Sequence, residues 1–89
     1  MAERMVSVSP TLKIPFAVYL ALLRGMFAVG RQMKAEGWGE KPQAEVLAEY
    51  VRRLKDVGQK LGLDIDQIIE LIEQLMPLIL FILEIIMQL

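Results

Sequence analysis

Residues 65–89 read IDQIIELIEQLMPLILFILEIIMQL, and their apolar side chains recur at helical spacing throughout. In a heptad frame Ile65, Ile72, Ile79 and Ile86 share one core position, and Ile68, Leu75, Ile82 and Leu89 share the other. Isoleucine at both positions disfavours a simple dimer. The flanking positions are apolar as well: Ile69, Met76 and Leu83 on one side, Leu71, Leu78 and Ile85 on the other. Charges that normally set helix pairing are absent there. Pro77 lies on the opposite face, with Glu70 and Glu84, where it would bend the helix without breaking the seam. A stripe this wide needs more than one neighbouring helix to cover it.

The rest of the chain offers little cover. Its 89 residues are 55% apolar, against roughly 45–50% for soluble domains. A chain this short buries about two-thirds or less of its unfolded surface alone. The eight seam residues, Ile65, Ile68, Ile72, Leu75, Ile79, Ile82, Ile86 and Leu89, are therefore expected at contacts between copies of the chain rather than merely as the hydrophobic side of one subunit's helical core. Lipid is the weaker candidate. Leu75–Leu83 is only nine residues long before Glu84, and Arg24 sits near the middle of the Ile14–Gly30 apolar run; a span needs roughly 20 residues, and a central charge is costly there. No cleavage site follows the first apolar run, so no signal peptide is expected.

Upstream of the seam, Gly62 suits a helix end and Asp64 with Gln67 a capping box. The break is short, so 42–89 is expected as helices two and three forming a long rod, bent near 62–64 and again at 77. Helix two opens at Pro42 and carries Val46, Leu47, Tyr50, Val51, Leu54, Val57 and Leu61 on one face. Its other face pairs Glu49 with Arg52 and Arg53, Arg52 with Asp56, and Asp56 with Lys60. Residues 37–41, within Glu36-Gly-Trp-Gly-Glu-Lys-Pro42, form the turn of a helical hairpin. Trp38 there caps the hairpin core or anchors a contact. Residues 9–36 are expected as helix one, with Ser9 as N-cap and Pro10 at its first turn. Pro15 requires either a kink near Lys13–Ile14 or a later start at Pro15 itself. Residues 1–8 read as an arm, and no strand signal competes. The expected fold is an all-α helical hairpin with a long, kinked, apolar C-terminal helix, assembling into a helical oligomer.

Charge is graded along the chain. Residues 1–35 hold five bases (Arg4, Lys13, Arg24, Arg31, Lys34) against Glu3, net +4. Residues 36–60 balance, five of each sign, and 61–89 hold five acids and no base, net −5. At about 100° per residue, Lys13, Arg24 and Arg31 project within roughly 20° of one another on a helix, and Lys34 about 60° away. Such a row suits phosphate backbones without sequence readout. It suits equally an acidic helix of a neighbouring copy. Arg52, Arg53, Lys55 and Lys60 already have helical partners, and no interleaved aromatic residues suggest base stacking.

Catalysis finds no support. There is no His and no Cys to activate Ser7, Ser9, Thr11, Tyr19 or Tyr50. Neither a metal nor another cofactor is expected: the soft ligands are missing, and Asp64 with Asp66 falls short of a calcium loop. Asn is absent too, which excludes N-glycosylation and, with the lack of Cys, fits a hot habitat.

A basic N-terminal helix, a glycine-marked turn and a long apolar helix over the whole chain resemble the helical-hairpin major capsid proteins of filamentous and rod-shaped viruses. Size, Asn- and Cys-free composition and apolar excess resemble in particular the major virion proteins of the bacilliform archaeal viruses (clavavirus group) of hyperthermophiles. The resemblance implies a structural virion protein, many copies stacking helically around double-stranded DNA. It would place Lys13, Arg24, Arg31 and Lys34 towards DNA and the Ile/Leu seam between subunits. Glycosylation in that family would fall here on Ser7, Ser9 or Thr11, by O-linkage. The rival expectations are a holin-like membrane pore and a soluble coiled-coil adaptor.

Overall fold

A computed structural model describes residues 4–89. It is mostly helical, with one small sheet. Strand β1 (Met5–Ser9) and β2 (Leu12–Pro15) precede helices α1 (Phe16–Ala35), α2 (Gln43–Lys60) and α3 (Ile65–Gln88), with a 3-10 turn at Trp38–Glu40.

The hairpin corrects the expectation that 9–36 is helix and that no strand forms; of the expected arm, residues 1–3 lie outside the described residues. Met5 faces Pro15, Val6 faces Ile14 and Ser7 faces Lys13, antiparallel, with an irregularity between Ser7 and Ser9. Val6, Val8, Leu12 and Ile14 alternate with polar residues, the period of a half-buried strand. Ser9-Pro10 therefore begins a tight turn, a use of Ser and Pro as natural as a helix start. Leu12 and Ile14 are buried against Leu22 and Leu71. The helix starts where the second proline allows: Pro15 is extended at φ −59°, ψ 142°, and Phe16 donates its amide to the Arg4 carbonyl at 2.7 Å.

Helices α2 and α3 are not a bent rod. Gly62 takes φ +88°, a left-handed conformation that costs other residues strain. The Leu63 amide donates to the Gly58 carbonyl at 3.1 Å and the Gly62 amide to Gln59 at 3.0 Å, which closes α2 in a Schellman motif. Asp64 and Gln67 then form the expected capping box: the Gln67 amide donates to Asp64 Oδ1 at 2.8 Å and the Asp64 amide to Gln67 Oε1 at 3.1 Å. The chain reverses between these two devices. A continuous rod would leave the apolar stripes of both helices in water; the reversal buries them on each other.

The three helices run up, down, up. Tyr50 of α2 donates its hydroxyl to the Met26 carbonyl of α1 at 2.7 Å, and two turns further along α2 Val57 lies where a Cβ on Gly25, one residue earlier in α1, would stand 3.0 Å from it, so α1 and α2 are antiparallel. A Cβ on Gly58 would stand 2.8 Å from Ile68 Cγ1, and Val46 shares the core with Leu83, so α2 and α3 are antiparallel too. Met26, Met33, Val46, Tyr50, Leu54, Ile79, Ile82, Leu83 and Ile86 form the main core, with Trp38 packed against it. Burial pushes the Tyr50 phenol above its ordinary pKa. Helix α3 continues through Pro77, which lies on its exposed side.

This arrangement corrects the seam. Ile68, Ile79, Ile82 and Ile86 are buried inside the subunit, and Ile72 and Leu75 are half-buried against its core. Only Ile65 and Leu89, at the helix ends, are exposed. The second and third helices that the stripe's width demanded are the chain's own α1 and α2.

Candidate functional site

With most of the seam turned inward, other large apolar residues remain on the outside. On α1 the exposed large apolar residues are Phe16, Leu20 and Phe27. They project within about 40° of one another, roughly 120° round the helix from the buried Leu22, Met26 and Met33. Arg24 and Arg31 are exposed on the same side, and no acidic residue lies on α1. On α3 the exposed set is Ile65, Ile69, Leu80, Phe81 and Ile85, among Asp66, Glu73 and Glu84. No basic residue lies on α3.

The two faces differ from α2 in how their charges are used. On α2, Arg52 bonds Glu49 at 2.8 Å and Asp56 at 3.3 Å, and Arg53 bonds Glu49 at 2.6 Å and Glu36 at 2.6 Å. Three of the four pairings expected on this helix are formed; among the described residues Asp56 with Lys60 is not an ion pair. Arg52 and Arg53 together hold the Glu49 carboxyl down at a pKa of about 2, from an ordinary 4.5. The stability this confers is complete above pH 4.5, where an unfolded Glu is ionised, and is lost as pH falls towards 2. The wild-type chain is thus expected to lose more stability between pH 4.5 and 2 than Glu49→Gln, in denaturant titrations followed by circular dichroism. Parallel stability curves would show that the pairings carry no linkage.

By contrast, Arg24, Arg31, Asp66, Glu73 and Glu84 enter no ion pair among the described residues. Two faces of opposite sign, each studded with large apolar side chains, stand on the outside of one small bundle.

The four expected DNA contacts do not form one row. Lys13 lies on β2, not on α1, so the helical register that aligned it with Arg24 does not exist. Arg24 and Arg31 remain on one exposed face, and Lys34 is half-buried at the end of α1. The hydroxyls divide as well. Ser7 is exposed and donates to the Ser9 carbonyl at 3.2 Å. Ser9 is buried and donates to Glu70 Oε1 at 2.7 Å, so it offers no room for a sugar; Thr11 is exposed and donates to the same oxygen at 2.6 Å. Those two hydroxyls hold the Glu70 carboxyl below its ordinary pKa and tie the hairpin to α3.

Between the start of α2 and the end of α3 runs an open groove of about 280 Å³, floored by Val46, Leu47, Leu80, Leu83 and Met87, with Lys41 and Glu84 among its lining residues. Lys41 Nζ lies 5.3 Å over the Trp38 ring, whose Nε1 donates to Glu36 Oε1. Among the described residues no group of three or more acidic side chains is placed to hold a metal ion. No helix among them is long and apolar enough to cross a membrane. The exposed aromatic residues Phe16, Phe27 and Phe81 escape a seam-based reading. Their signal in the sequence is their place off the buried stripe: Phe81, adjacent to the buried Ile82, is 61% exposed.

Comparison with known protein families, with curated proteins and with solved structures gave no match.

Proposed function

We propose that this chain is a structural subunit that works as a polymer of itself. The observation that supports this is the pair of outer faces: α1 basic and apolar, α3 acidic and apolar, with the exposed charges Arg24, Arg31, Asp66, Glu73 and Glu84 in no ion pair among the described residues. A basic face and an acidic face on different helices make a heterologous contact. Each copy then uses one face on each of two neighbours, which generates a ring if the rotation closes and a filament if it does not. The buried core leaves the subunit folded in its own right, so assembly joins finished units.

A coat around double-stranded DNA is the second form of this proposal, favoured by the resemblance and by the lack of acids on α1. The composition of the α1 face weighs against DNA as its direct partner. Protein–DNA interfaces are more polar and wetter than protein–protein ones, whereas Phe16, Leu20 and Phe27 interleave Arg24 and Arg31. Apolar residues among charges suit another protein surface better.

The test is sedimentation velocity with electron microscopy on purified chain, alone, with duplex DNA and with anionic vesicles. Rings or filaments from the chain alone are the expected result. Assembly only on DNA would replace the proposal with the coat, and a chain that stays monomeric throughout and leaks vesicles would replace it with the pore.

A further inference from the structure

Resting on the self-assembly proposed above, we propose that Arg24, Phe27 and Arg31 on α1 dock onto Asp66, Ile69 and Glu73 on α3 of a second copy. The two sets match position for position. In each, a charged residue is followed by a large apolar residue three positions on and a second charge seven positions on. Seven residues bring a helix round to within about 20° and advance it about 10.5 Å, so the charges of each set share a face at equal separation. All six residues are exposed, with Phe27 at 46% and Ile69 at 42%. The four charges have no ion-pair partner among the described residues. The match thus supplies opposite charge, equal spacing and an apolar centre, which is the plan of a packed contact with a polar rim.

Within one subunit the two sets cannot meet, because each lies on the outward side of its own helix. The buried side of α1 carries Leu22, Met26 and Met33, and that of α3 carries Ile68, Leu71 and Ile79. The partner of each set is therefore a different copy.

Charge reversal on one side tests the match. Arg24→Glu with Arg31→Glu is the first variant, and Asp66→Lys with Glu73→Lys the second; all four sites are exposed, and circular dichroism checks that each folds. Juxtaposed like charges should raise the concentration for half-assembly about tenfold or more in either variant alone. An equimolar mixture should assemble again, because each mutant face then meets its opposite in the other variant. The chain carrying all four reversals should assemble with itself and not with wild type. Wild type that assembles while the reversals leave it unchanged, or a mixture that fails to recover, overturns the matched faces and leaves the self-assembly standing. Wild type that never assembles removes both.

Discussion

Ile79→Ala should lower the subunit's stability by about 3 kcal/mol, within the 2–5 kcal/mol range of large-to-small changes at fully buried sites. Ile79 is 1% exposed at the centre of the main core. It borders a void of only about 10 Å³, walled by Met26, Leu54 and Ile72 among others, so removing three more carbons enlarges a hole that the tightly packed surroundings cannot close. For a domain of this size each kcal/mol moves the midpoint of thermal unfolding by roughly 4–8 °C, which makes the expected fall about 12 °C or more. Phe81→Ala, two residues away and 61% exposed, should leave the midpoint of dilute chain nearly unchanged. The pair separates a seam inside the subunit from a seam between subunits. Thermal melts of both variants at low concentration decide it: a loss for Ile79→Ala that appears only at assembling concentrations would return the residue to an intermolecular contact.

Gly58→Val is the second large effect. A Cβ at this position would lie 2.8 Å from Ile68 Cγ1 and 3.1 Å from its Cδ1, on a side chain that is itself 1% exposed. The neighbouring void is too small for the added methyl groups. Valine must therefore push α2 and α3 apart. Overpacking of a tight core costs about 1–3 kcal/mol and occasionally more, and the branched side chain places the new atoms closest to the clash. A fall in the melting midpoint of about 10 °C or more is expected. Gly39→Ala serves as the control, since its Cβ would meet only Met87 atoms at 3.8 Å, an ordinary contact. If Gly58→Val melts like wild type, the two helices do not cross where Gly58 meets Ile68.

The local devices of this chain were legible because their causes are local. Gly62, Asp64 and Gln67 act within five residues of one another, and so the end of α2 and the start of α3 follow from local chemistry alone. The same holds for Glu49 with Arg52 and Arg53, one helical turn apart. The β-hairpin was legible only in part: the alternation of Val6, Val8, Leu12 and Ile14 with polar residues is local, but the choice of turn over helix is not. Ser9-Pro10 begins a helix or a turn equally well, and the contact that favours the turn, Ser9 and Thr11 on Glu70, spans some 60 residues. Placing Lys13 on a strand removed it from the basic row for the same reason.

The amino-acid sequence by itself determined that three helical segments form, where two of them meet, and that the stripe from Ile65 to Leu89 must be covered by more than one helix. Periodicity and capping depend on neighbours within a turn or two, so they are written in order along the chain. Only the tertiary structure decided who covers the stripe. Apolar burial has no direction and is satisfied by any apolar surface, and the reversal at Gly62 brings the chain's own α2 and α1 to it first. That choice turned an expected interface into a core, and it left Arg24, Phe27 and Arg31 facing outward on one side with Asp66, Ile69 and Glu73 outward on another.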